Sequence, residues 1–164
     1  MIKYVPIPEY TDKMWYESYL LVYNKDLAYH MGIEPKIIVN PPTLVEFYEH
    51  ITQAVEKGVF YGYAVLKDDD HIGHITLDNK IGEWEVGGVL KDPKLWGSGV
   101  GVRAVLHAMK WVFEEQERDW VIAFTFGKDP KVRKMLIRGG FKPFSNFLVM
   151  DKETWQERWA RRVK

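Results

Sequence analysis

The pattern of apolar and polar positions changes character twice along the chain. Residues 3–7 alternate into Pro6 and Pro8 and predict a short first strand. From residue 12 to 23 the spacing turns helical, with Trp15, Tyr16, Tyr19, Leu20 and Tyr23 on the pattern and Thr11 as a cap. A second short helix is expected near residues 27–31, stopping at Gly32. Pro41-Pro42-Thr43 opens another over 44–57, where Thr43 and Glu46 stand at capping-box spacing and Gly58 ends it. The period then drops to two. Residues 59–67, 71–77 and 83–90 read as strands, separated by Asp68-Asp69-Asp70 and Asp78-Asn79-Lys80, and so as an antiparallel meander. Inside the third strand, Gly87-Gly88 marks a bulge or a close backbone approach.

The helical period returns after a glycine-rich turn at 96–101. It predicts a helix to about residue 115 whose buried stripe is Val105, Ala108, Met109, Val112 and Phe113. Residues 120–126 are nearly continuous in apolar character and read as a strand covered on both faces. Asp129-Pro130 starts a helix that stops at Gly139-Gly140. Strands at 141–144 and 147–151 close a hairpin around Ser145-Asn146. Thr154 with Glu157 is expected to cap a last helix carrying Trp155 and Trp159. This order predicts an α/β (α+β) fold, a mixed sheet with helices on both faces.

Composition narrows the function. One domain fits 164 residues, and 46% hydrophobic and 15% aromatic residues suffice for a core. The absence of cysteine excludes disulfides, thiolate metal sites and a cysteine nucleophile. Lys plus Arg equals Asp plus Glu, 23 each, so composition gives no argument for nucleic acid or an acidic membrane surface. Met1-Ile2-Lys3-Tyr4 begins no long apolar run; no signal peptide or membrane span is expected, and the cytoplasm is the default compartment.

The sharpest local signal is Asp92-Pro93-Lys94-Leu95-Trp96-Gly97-Ser98-Gly99-Val100-Gly101-Val102-Arg103. Glycines let the backbone turn tightly and leave several N–H groups pointing one way; with a helix N-terminus behind them they make an anion site. A Walker loop is excluded because no Gly-Lys-Ser or Gly-Lys-Thr ends the segment. A Rossmann fingerprint is excluded because Val102 stands where a third glycine is needed and a meander precedes the loop.

With these residues the sequence resembles the GNAT superfamily of acyl-coenzyme A N-acyltransferases. Asp92-Pro93, Gly99 and Gly101 match the family's pyrophosphate motif, while Trp96 departs from its usual Arg or Gln. A second family segment, an Asn-led helix ending in Gly-Phe, is matched by Gly140-Phe141, with Asp129 at the Asn position and Met135 at the usual Leu. Residues 148–152 look like the family's last strand. The resemblance runs through nearly the whole chain in element order. It implies one domain over 1–164 and a mostly antiparallel sheet of six to seven strands that splays after the third meander strand. It implies acetyl-CoA as cofactor and an amine acceptor on a small molecule or protein. Val89, Leu90 and Lys91 would meet the pantetheine arm. Trp96, Gly97, Ser98, Gly99, Val100, Gly101, Val102, Arg103 and Asp129 would bind the rest of the cofactor. Glu85 falls where many relatives carry a catalytic base, with Glu83 on the same strand face. Leu136 occupies the position of the tyrosine that protonates the leaving thiolate in many relatives.

Three readings stay open on this basis. The first is an acetyl-CoA-dependent N-acetyltransferase. The second is a weak or inactive GNAT-like structural or interaction module, of the kind found in tailed-phage internal virion proteins. The third is a transferase for another acyl group or a nucleobase. The aromatic helix at 12–23 and the last hairpin would wall the acceptor site, with His30 and His50 in reach and Tyr29 near it. His71 and His74 are expected on opposite faces of one strand, too far apart in direction to share a metal. His107 reads as a packed or surface residue. The basic end, Arg158, Arg161, Arg162 and Lys164, reads as a solvated face. Neither a membrane nor a nucleic acid partner is expected, and exposed tryptophans near the C-terminus suggest a homodimer.

Overall fold

Two short helices and three meander strands precede the turn that the sequence marks out, and the strands fix where that turn sits. The computed structural model of the chain describes residues 1–27, 38–79, 81–125 and 130–163. Strand β1 (Ile2–Pro6) leads into α1 (Asp12–Val22), and α2 (Leu44–Glu56) follows. Thr11 accepts from the Met14 amide at the head of α1, and Thr43 and Glu46 close a full capping box on α2. The meander is β2 (Phe60–Lys67), β3 (Asp70–Asp78) and β4 (Glu85–Leu90). Then come α3 (Val100–Lys110), a π-helical turn (Trp111–Glu115), β5 (Trp120–Ala123), α4 (Pro130–Gly139), β6 (Lys142–Phe144), β7 (Phe147–Asp151) and α5 (Lys152–Arg158).

The seven strands form one sheet in the order β1-β2-β3-β4-β5-β7-β6. Every neighbouring pair is antiparallel except β4 and β5. That parallel pair meets only at Glu85↔Ile122, where the Ile122 amide donates to the Trp84 carbonyl at 3.0 Å. Beyond it the two strands part, which is the splay expected after the third meander strand.

Three clusters cover the two faces. Tyr63, Val65, Ile75, Leu77, Val86 and Leu90 pack with Val105, Ala108, Met109, Val112 and Phe113 of the long helix, and with Leu136 and Trp155, in the principal core. The stripe expected on that helix is buried throughout. On the opposite face α1 and α2 build a second cluster from Trp15, Phe47 and Ile7, and a third joins Leu21 and Leu27 to Val89.

The structure corrects the sequence reading at several points. Gly87-Gly88 is no bulge: the β3–β4 ladder runs without a shift from Asp78↔Glu85 to Gly73↔Leu90. Close approach explains Gly88, because a Cβ there would lie 2.6 Å from the His74 carbonyl oxygen. The bulge sits in β3 instead. Leu66 pairs with His71 and Val65 with Gly73, so Ile72 is the extra residue. One inserted residue reverses the alternation, and His71 and His74 therefore share a face, contrary to expectation. Strand β5 opens on an exposed Trp120, 46% accessible, so it is not covered on both faces along its whole length. The last helix is capped three residues earlier than expected, by the Asp151 carboxylate, which accepts from the Thr154 amide at 2.7 Å. On α1, Trp15, Ser18 and Leu21 turn inward, while Tyr16 and Leu20 face solvent. The helix expected at 27–31 lies almost wholly outside the described residues.

Candidate active site

Strand β4 delivers the chain to the edge of the splay, and the turn at 91–99 folds back against it to start α3. Asp92 begins the turn by accepting from the Lys94 amide at 2.8 Å. The amides of Leu95, Trp96 and Ser98 are spent on carbonyls within the turn. The Val100 amide reaches only the Ser98 hydroxyl, at 3.4 Å. Among the described residues, the amides of Gly97, Gly99, Gly101 and Val102 have no acceptor. Gly97 and Gly99 have φ of +86° and +84°, where a side chain is strained, and Gly97 stands in open space. Gly97 and Ser98 are exposed and Gly99 half-buried. The result is an accessible cradle of unspent N–H groups at the positive end of a helix, a geometry that suits an oxyanion. An exposed Arg103 stands one turn into α3, with its guanidinium close to Gly99.

The other expected cofactor contacts divide. Trp96 turns its side chain onto Leu21, Leu27 and Val89, so the family's polar position is filled by packing. The Lys91 amide donates to the Ile72 carbonyl at 2.7 Å and faces β3, not the splay. Ladder alternation then turns the amides of Gly88 and Leu90 toward the parting of β4 and β5. Val89 and Leu90 are both buried. Asp129 lies outside the described residues.

Glu85 stands at the closed end of the splay, half-buried, paired with Asp78 on one side and Ile122 on the other. Glu83 does not share its strand. It lies in the bend before β4, and its carboxylate accepts from the Trp120 indole N–H at 2.7 Å. Beside Glu85 on the α1 face lies a residue the sequence reading passed over. Thr76 is in register with Gly62 on β2 and with Gly87 on β4. A glycine on either side leaves its hydroxyl in a trough, and a polar residue between glycines in two neighbouring strands was the signal available in the sequence.

The α1–α2 side carries the aromatic wall. Tyr19, Tyr23 and Phe47 are in ring contact, and the Tyr19 hydroxyl donates to the Pro42 carbonyl at 2.8 Å. An open cleft of about 740 Å³ is lined by Tyr23, Pro42, Glu46, Phe47 and His50 among others. Tyr29 and His30 lie outside the described residues. His107 is packed, stacked on Tyr4 with ring centroids 4.2 Å apart. No group of three metal-ligating side chains occurs among the described residues. Nor is any helix among them long and apolar enough to cross a membrane.

A family profile described as the acetyltransferase (GNAT) domain matches residues 13–142. The chain belongs to the GNAT acetyltransferases. Solved structures of acetyltransferases share its fold. Spermidine N-acetyltransferase from Vibrio cholerae, with coenzyme A and spermine, is similar at a TM-score of 0.76 and 11% identity, over 95% of this chain and 97% of that one. Aminoglycoside acetyltransferase AAC(6')-Ib with coenzyme A gives 0.74 and 12%, over 95% and 99%. Ribosomal-protein-S5-alanine acetyltransferase from Vibrio fischeri gives 0.69 and 17%, over 94% and 93%. No sequence among the curated proteins matches this GNAT chain significantly.

Proposed function

We propose that this protein is an N-acetyltransferase that moves an acetyl group from acetyl-CoA to a primary amine. The observation that carries the reading is the exposed glycine turn with four unspent amides at the head of α3, beside the splay. Gly97, Gly99, Gly101 and Val102 would hold the diphosphate through charge-assisted bonds, which supply most of the affinity. The helix end adds only about 0.3–1 kcal/mol. Gly88 and Leu90 would pair with the amide-bearing arm as an added strand. The thioester supplies an activated acetyl group.

A protonated amine cannot attack. With a pKa of about 10.4, a lysine-like acceptor is roughly 3.4 units, or about 4.6 kcal/mol, from its neutral form at pH 7. Glu85, half-buried at the closed end of the splay, would take that proton, directly or through water. Glu83 is engaged with Trp120 and serves as its anchor. Leu136 is buried in the core, so α4 offers no side-chain proton at the tyrosine position. The acceptor is an amine on a small molecule or a protein, the two classes named for the similar enzymes.

Calorimetric titration of the purified protein with acetyl-CoA tests the reading. Binding is expected within the range of about 1 μM to 1 mM common for enzyme substrates. Gly99→Glu puts a carboxylate at the cradle and a side chain at φ +84°, and should weaken that binding at least about tenfold by like-charge repulsion. No heat at millimolar cofactor would sink the proposal. A second reading, a GNAT fold kept as an interaction module, draws on Trp96 and Leu136, which both turn family polar positions into packing. It expects Gly99→Glu to leave the biological role intact.

A further inference from the structure

The face of the sheet under α1 carries polar groups that the mechanism above does not use. Among the described residues, eight buried side-chain N and O atoms lack a hydrogen-bond partner. Four of them belong to Glu17 and the two histidines: Glu17 Oε2, His71 Nδ1 and Nε2, and His74 Nδ1. Buried polar atoms are normally satisfied, so four together need a reason. His71 and His74 are only 5% and 8% exposed. The Ile72 bulge brings them onto one face, and that face continues along β3 through Thr76 to Asp78, which is paired with Glu85. Same-face neighbours on a strand lie about 6–7 Å apart, a step that one water molecule spans between side chains. At the far end His71 Nδ1 is 3.2 Å from the Glu17 carboxylate, and Glu17 is 22% exposed. There the carboxylate favours a proton on the His71 ring, against the effect of burial.

We propose that Glu17, His71 and His74 form a water-bridged relay that carries the acceptor amine's proton from the Glu85 end of the sheet to solvent. The proposal rests on the acetyltransferase reading. The amine nitrogen bonds to the acyl carbon and gives up one proton to Glu85 or a neighbouring water, while the carbon–sulfur bond breaks and its electron pair leaves on the coenzyme A sulfur, which takes a proton from solvent. The amine's proton enters one ring nitrogen of His74 while the other nitrogen releases its own through water to His71. His71 passes a proton from Nδ1 to the Glu17 carboxylate, which returns it to bulk water. Nothing is oxidised or reduced. Each imidazole ends neutral, in its other tautomer, and resets by exchange with water.

The surroundings keep both rings neutral near pH 7. Burial lowers the pKa of each, and for His74 the neighbouring His71 adds to the effect. Glu17 pulls His71 the other way, and Lys91 opposes protonation from the start of the cofactor turn. On α1, Lys13 lies 3.9 Å from Glu17, and the Tyr10 hydroxyl lies beside Ser18. From β2 and β4 only Ala64, Leu66 and Val89 face the rings.

Glu17→Gln and His71→Gln should lower kcat by about tenfold or more, less than the roughly 10²–10⁴-fold typical of the group that exchanges the substrate's proton itself. KM and the calorimetric affinity for coenzyme A should stay as in the unmodified protein. The acid limb of the pH–rate profile should move in both. Variants that bind coenzyme A and keep the unmodified rate and profile overturn the relay and leave the acetyltransferase reading standing. Failure of the unmodified protein to bind coenzyme A removes both. A crystal structure that resolves solvent gives a readout free of activity and of mutant folding. Ordered waters linking His74 Nδ1, His71 Nε2 and the trough at Thr76 are expected, and a dry cluster overturns the proposal.

Discussion

His74 lies between Ala64 and Val89 on the α1 face, and burial pushes its pKa down to about 4. In the unfolded chain the same ring titrates near 6.5 and so takes up a proton first. Stability is therefore full above pH 6.5, falls as the pH drops, and levels below about pH 4. The span corresponds to about 3 kcal/mol at most. Urea denaturation between pH 7 and 4 should show this loss, and His74→Leu should flatten the curve over that window. The residues whose roles were legible in the sequence are those whose backbone decides: Gly97 and Gly99 need a left-handed turn, and both adopt it. Side chains whose role depends on a distant neighbour were not legible. Trp96 fills a gap beside Leu21 and Leu27, and Glu83 meets Trp120, 37 positions on.

Elements were readable wherever period and end signals agreed. Thr11 and Thr43 cap the helices they precede because the bonds involved span three residues. Helix α5 misled because the helix begins three residues before the Thr154 cap that the spacing suggested. The chain turns at Asp151, which is still in strand geometry, with φ −89° and ψ 158°. Asp151→Ala should cost about 1 kcal/mol in chemical denaturation, while Asp151→Asn should keep most of the cap. The thr-to-carboxylate bond and Lys142 hold the Asp151 pKa below its ordinary value, so this contribution is present at neutral pH and fades as acid protonates the carboxylate. The bulge in β3 had no such marker. Inserting Ile72 is decided by how β2 and β3 pair, and it moved His71 to the face of His74.

At the scale of the molecule, the site exists because two strands separate. Strands β4 and β5 meet at one pair, and the turn, the amides of Gly88 and Leu90, and Glu85 all border the gap. A ligand that binds only this folded arrangement stabilises it by mass action, about 2.7 kcal/mol at a hundred times its dissociation constant. Coenzyme A at that ratio should raise the melting temperature by about 5–10 °C, and Gly99→Glu should abolish the shift. A melting temperature independent of coenzyme A concentration would count against the cradle.

The sequence by itself determined the order of elements, the long buried stripe of α3 and the glycine turn, because each rests on interactions within a few residues. Only the tertiary structure decided which amides of that turn remain unspent. It alone placed Thr76 between two glycines and gathered Glu17, His71 and His74 under α1. Those outcomes depend on strand register and on contacts across tens of residues, and a one-residue change in pairing exchanges the faces of every side chain beyond it.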